Sequence, residues 1–251
     1  MAESTPWDDL YEAYLNALPR SRIDPLPLVR SDPLTVSYAA MLENPSPEDV
    51  KWLTRALVLP QHKWFVVGLL EAAPSLAEAL FGPAMDAGIA ELNPSLNRYF
   101  IEPCVRAFGV RRVNEYLLDL LETGTDSQKA GAVNALYWAQ VPLEFPGNPP
   151  DYGDDRASVD SRRADEALAD VWTRARTLYL RTFVSNPDAD VRRSLIARLT
   201  LDETAYDPAD RPLVSQAIGI ARAHWDPYIR HRLAVQLGEY QLLPALPHQD
   251  E

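Results

Sequence analysis

A stretch that opens on Asn186-Pro187-Asp188 and continues through Val191, Arg192, Leu195 and Leu199 recurs thirty-eight residues later, with Asp226-Pro227 in the turn and Ile229, Arg230, Leu233 and Leu237 in the matching places. Val191, Leu195 and Leu199 stand at i, i+4 and i+8, which is one face of a helix. A helix pair of this length cannot bury its own apolar face. A fixed period of about 40 residues therefore calls for neighbours that stack into a continuous core.

Helix starts are marked densely along the rest of the chain. Pro6 and Pro33 stand at first helical positions, and Asp8 and Asp9 fall in a first turn, where carboxylates suit the helix dipole. Ser46-Pro47-Glu48-Asp49 has the form of a capping box. Further starts are expected near Pro74-Ser75, Asn93-Pro94-Ser95 and Thr125-Asp126. The first helix should bury Leu10, Tyr11, Tyr14, Leu15 and Leu18. Alternating strand patterns are essentially absent, so the expectation is an all-α chain of about ten to twelve helices.

The register of the two clear copies extends backwards to Lys129 with Ala132, Val133 and Leu136, then to Asn97 with Phe100, Ile101 and Cys104, then to Lys63 with Val66, Val67 and Leu70. The interval from Lys129 to Arg192 is long because it contains the Pro/Gly/Asp-rich segment 142–159. Without that segment it falls within the roughly 32 to 47 residues expected of helix-pair repeats. The stretches 186–199 and 225–237 resemble the second helix of HEAT-type (armadillo-type) repeats. The resemblance implies an irregular α-solenoid of about five helix pairs. Residues 1–46 would then form an N-terminal helical cap, 47–141 a first set of repeats, 142–159 a loop, and 160–251 further repeats and a tail, all within one solenoid domain.

The formal net charge of −12 disfavours general nucleic-acid binding and favours a protein partner with a basic surface. Residues 167–235 run against that trend, with ten arginines facing eight acids. No run of about 18 apolar residues suggests a membrane span. The acidic start lacks the apolar core of a signal peptide, and the single cysteine suits a reducing cytoplasm. Cys104 lies in apolar context and reads as a buried, inert thiol. No His or Cys spacing suggests a metal site, no Gly-rich phosphate loop is present, and no cofactor is expected.

The resemblance implies a concave surface built from the second helices, receiving Asn134, Arg193, Ala197, His231 and Val235, with Arg198 among the cations near it. These are the candidate binding residues, together with Phe145 and Tyr152, the aromatic side chains of the 142–159 segment. Arg192 and Arg230 are either an anion-binding ladder or partners of Asp in adjacent turns, and recurrence wherever repeats stack favours the second. The leading expectation is a non-catalytic solenoid that binds a macromolecule as scaffold or inhibitor. The alternative is a base-excision enzyme similar to HEAT-like alkylpurine DNA glycosylases, with Asp170, Trp172 and Arg176 in the catalytic places. Convergence of Arg174, Arg176, Arg193 and Arg198 on one face would favour that alternative.

Overall fold

Residues 6–17, 33–141 and 158–239 are described by a computed structural model, and they form thirteen α-helices and no strand. In chain order these are α1 (Pro6–Ala17), α2 (Pro33–Ala39), α3 (Pro47–Val58), α4 (Lys63–Ala72), α5 (Phe81–Ala90), α6 (Arg98–Phe108), α7 (Val110–Thr123), α8 (Asp126–Ala135), α9 (Val159–Glu166), α10 (Ala169–Ser185), α11 (Ala189–Ile196), α12 (Arg211–Arg222) and α13 (Pro227–Gln236). The all-α expectation holds. Two compact units divide the described residues: 6–17, 33–116 and 134–141 form one, and 117–133 with 158–239 form the other. The chain therefore changes unit within α7 and within α8, and again where the proline-rich segment begins.

In the first unit α3 packs on α4 and α5 on α6, while α3 also packs on α5 and α4 on α6. The stripes Val66, Val67 and Leu70 of α4, and Phe100, Ile101 and Cys104 of α6, are all buried, as their register requires. Gly88 of α5 lies close against α6. A Cβ there would lie 2.9 Å from the Cβ of Phe100 and 3.0 Å from Cδ1 of Ile101.

α1 joins this unit through aromatic rings. Its buried face is Trp7 and Tyr14, with Tyr11 half-buried between them, an i, i+4, i+7 stripe. Leu15 is exposed, contrary to expectation, because the wide rings of Trp7, Tyr11 and Tyr14 rotate the packed face away from it. Leu18 lies outside the described residues. Trp7 stacks on Trp52 of α3 at 5.8 Å. The Trp7 indole donates to Asp49 Oδ1 at 2.6 Å, and the Trp52 indole donates back to Asp8 Oδ1 at 2.8 Å. Asp49 also closes the expected capping box, accepting the Ser46 N–H at 2.8 Å while Ser46 Oγ accepts the Asp49 N–H at 3.2 Å.

The helix starts expected near Pro74 and Asn93 are displaced. α5 begins at Phe81 after a short 3₁₀ turn, Glu78–Leu80, and α6 begins at Arg98. Ala77 donates its N–H to Leu42 O at 2.8 Å, which holds the first of these segments extended. The Asn93 side chain accepts the Ser95 N–H at 2.9 Å and so closes a turn of its own instead of capping a helix.

In the second unit the same pattern of neighbours recurs: α10 on α11, α12 on α13, α10 on α12 and α11 on α13. Val191, Leu195 and Leu199 are buried, as are Ile229 and Leu233, and Leu237 is half-buried. Gln236 of α13 donates to Ile196 O at 3.0 Å, which ties the ends of the two equivalent helices together. Ala132 and Val133 of α8 are buried, and so is Leu136 just beyond its end.

Candidate functional site: the turns before α11 and α13

Each of these two turns carries the same three devices. Asp188 Oδ1 accepts the N–H groups of Asp190 and Val191 at 3.0 Å, and Asp226 Oδ1 accepts that of Tyr228 at 2.8 Å, so both helices start on an aspartate cap. One step earlier, Asn186 Oδ1 accepts the Asp188 N–H at 2.8 Å and His224 Nδ1 accepts the Asp226 N–H at 3.1 Å. Burial depresses the His224 pKa, and the Arg192 and Arg230 charges depress it further against the opposing pull of Asp226. That leaves the imidazole neutral at pH 7 and its Nδ1 free to accept.

Arg192 and Arg230 supply the third device. Arg192 Nε donates to Phe183 O at 3.2 Å, and Arg230 Nη1 donates to Trp225 O at 2.7 Å and to His224 O. The last carbonyls of a helix have no intrahelical donor and sit at the negative end of its dipole, so a guanidinium there satisfies both needs. Arg192 fastens α11 in this way to the last turn of α10, whereas Arg230 ties α13 to the carbonyls of the turn just beyond α12. Among the described residues neither pairs with an Asp of the adjacent turn. The ion pair between turns exists, but Arg193 makes it, through Nη1 to Asp226 Oδ2 at 3.3 Å, with its guanidinium 4.9 Å above the Tyr228 ring.

The two caps predict unequal mutational effects. Asp188→Ala removes only a cap and should destabilise by about 1 kcal/mol. Asp226→Ala removes a cap and also the ion pair from the exposed Arg193, so about 1–2 kcal/mol is expected. Chemical denaturation of both variants compares them directly, and equal losses would refute the coupling of Arg193 to the cap.

Of the residues expected opposite the buried stripe, Arg193, Ala197, His231 and Val235 are exposed on α11 and α13 or just beyond α11. Asn134 is half-buried in α8, and Arg198 is half-buried, with its charge felt at the Tyr179 hydroxyl. Phe145 and Tyr152 lie outside the described residues. Asp170 is exposed in the first turn of α10. The Trp172 indole donates to Asp165 Oδ1 at 3.0 Å, while Arg176 Nη1 donates to Ala205 O at 2.9 Å. Arg174 bridges Asp119 and Glu122 at 2.7 and 3.1 Å. Arg174, Arg176 and Arg193 thus share no partner among the described residues.

Among the described residues no group of three or more His, Cys, Asp or Glu side chains could hold a metal ion. Cys104 is buried in α6, and desolvation pushes its thiol up to about 12, against a small opposing effect of Arg106. The thiol should stay protonated at pH 8 and resist iodoacetamide until the protein is unfolded, when it reacts as an ordinary thiol. Mass spectrometry of folded and denatured samples checks this.

Two surface aromatics went unmarked by sequence reasoning. Trp225 is 74 % exposed in the turn before α13, stacked at 5.6 Å on the buried His224, and Tyr228 is exposed in the first turn of that helix. A tryptophan immediately before an Asp-Pro helix start was the available signal, because such a position lies outside the buried stripe. No protein family, characterised protein or solved structure matches the chain.

Proposed function

We propose that this chain is a non-catalytic helical-repeat protein of HEAT-like design that binds a macromolecular partner as scaffold or inhibitor. The observation that carries this reading is the neighbour pattern shared by both units, where first helices pack on first helices and second on second. On this reading five pairs, α3/α4, α5/α6, α7/α8, α10/α11 and α12/α13, follow a cap of α1 and α2 in an irregular solenoid. Stacking of that kind leaves one face of every second helix without a covering layer, and such faces serve as binding surfaces. The exposed positions Arg193, Ala197, His231 and Val235 support it.

The net charge of −12 favours approach by a protein with a basic surface. The single cysteine suits a reducing, cytoplasmic setting. No helix of the described residues is long and apolar enough to cross a membrane. Affinity capture on the full chain, from a lysate of its source at low and at moderate salt, tests the reading. One protein partner retained at moderate salt is expected. Nucleic acid recovered instead, and lost steeply as salt rises, would overturn it and direct attention to Asp170, Trp172 and Arg176.

A further inference from the structure

We infer that the exposed face of α11 and α13 seats an acidic peptide segment of the partner, with Trp225 as its apolar anchor. This rests on the partner-binding reading above and names the chemistry of one contact within it. Trp225, Tyr228 and Arg193 are the residue types that dominate binding hot spots; Trp225 and Tyr228 flank the cap of α13, and Arg193 of α11 reaches across to lie over the Tyr228 ring. Trp225 is exposed yet held: its carbonyl accepts from Arg230, its ring stacks on His224, and the next residue is the cap of α13. An anchor fixed before binding loses little conformational freedom when a partner covers it.

The charge on this face is opposite to that of the whole chain. The Arg193–Asp226 pair is asymmetric, with the guanidinium side chain 57 % exposed and the carboxylate 6 %. A ligand approaching from solvent therefore meets the cation. Arg230 is likewise exposed, and its Nη1 bonds go to carbonyls, which leave its charge uncancelled by a carboxylate. His231 is exposed beside it in sequence, whereas Asp190 is the one exposed acid of α11, α13 and their two leading turns. At physiological salt fields fade over roughly 8 Å, so the acid elsewhere in the chain governs approach while these local cations govern contact. Two exposed guanidinium groups, Arg193 and Arg230, are few for a phosphate backbone, whose binding grows with the number of phosphates neutralised. They suit one or two carboxylates flanking an apolar side chain. Val235 and Ala197 extend the apolar part of the face.

The test is selection of random 15-residue peptides displayed on phage against the full chain, followed by fluorescence anisotropy of the selected peptides. Expected are sequences rich in Asp and Glu around an aromatic or aliphatic residue, with the Trp225 emission shifting to the blue on binding. Trp225→Ala should keep the melting temperature of the parent and weaken these peptides about 30-fold. His231→Glu, also a surface change, should weaken them several-fold through charge alone. Selection of basic peptides, undiminished binding by Trp225→Ala, displacement of the peptides by a 20-nucleotide single strand, or no selected peptide at all would each overturn the inference. A lysate partner held equally well by the parent and by Trp225→Ala would sink this face while leaving the partner-binding reading in place.

Discussion

Replacing Trp7 with alanine should lower stability by about 3–5 kcal/mol, with α1 the first element to lose protection. Trp7 is buried against Trp52, so truncation removes the stack and leaves a cavity beside the Trp52 ring, whose edge-on packing against Phe65 and His62 holds it back from filling the space. It also deprives Asp49 of an indole donor. Trp7→Phe keeps most of the apolar surface and loses the hydrogen bond, so a smaller loss of about 1–2 kcal/mol is expected. Hydrogen exchange of the α1 amides, read beside global denaturation, separates detachment of α1 from collapse of the unit. Acid should loosen the same latch. Burial tends to raise the Asp49 pKa, but bonds from the Ser46 backbone, the Ser46 hydroxyl and the Trp7 indole outweigh it, so the carboxyl lies below its ordinary value. A carboxyl depressed on folding contributes stability in full above its unfolded pKa, near 4, and loses it as pH falls through the folded value. Protection of the α1 amides, relative to their intrinsic exchange at each pH, that did not fall below pH 4 would contradict this.

The second large effect is expected at Gly88. An added Cβ there meets the Phe100 Cβ at 2.9 Å, and that atom is bonded directly to the α6 backbone. It can move only if the helix moves. The Ile101 Cδ1 atom, at 3.0 Å, is the free end of a side chain and can swing aside. Gly88→Ala should therefore destabilise by about 1–3 kcal/mol. Gly88→Val, with two more methyl groups in the same gap, should prise α5 from α6 and leave the first unit unfolded or molten at 37 °C. Near-ultraviolet circular dichroism and thermal melting of both variants would show it. A Gly88→Val protein that melts as the parent does would mean that the two helices are not held at this distance in solution.

Much of the helical skeleton was legible because it depends on local chemistry. Pro6, Pro33, Pro47 and Asp126 stand at helix starts, and Ser46 and Asp49 form their box, since caps and N-terminal prolines act over four residues. Buried stripes were legible for the same reason in α4, α6, α8, α11 and α13. Pro74 and Asn93 misled because their signals are shared by turns, and the tie from Ala77 to Leu42 lies thirty-five residues away in sequence. On α1 the expected face holds at Tyr11 and Tyr14 and fails at Leu15, where the buried Trp7 shifts the packed side.

The candidate site was legible in type more than in detail. The recurring Asp and Arg were visible as a pattern, yet adjacent arginines 192 and 193 have different tasks. Their directions follow from a helix end and a neighbouring turn that no local rule positions. The exposure of Arg193 and His231 followed from their place opposite the stripe. Trp225 did not follow, because an apolar residue in a turn is ordinarily assigned to packing until its surroundings are known.

The distinction between those two arginines bears on how such a chain can grow. A block that starts in the helix before its aspartate cap contains both halves of its Arg192-type clasp when copied, and needs its neighbour only for the Arg193-type bond. Each new copy offers an aspartate to the one before and a guanidinium to the one after. At the position equivalent to Arg193, thirty-eight residues on, the chain has His231. An imidazole lacks the fork and the permanent charge of a guanidinium. The ion pair that Arg193 makes to the next turn therefore has no equal at α13, whose corresponding side chain stands exposed to solvent and open to other uses.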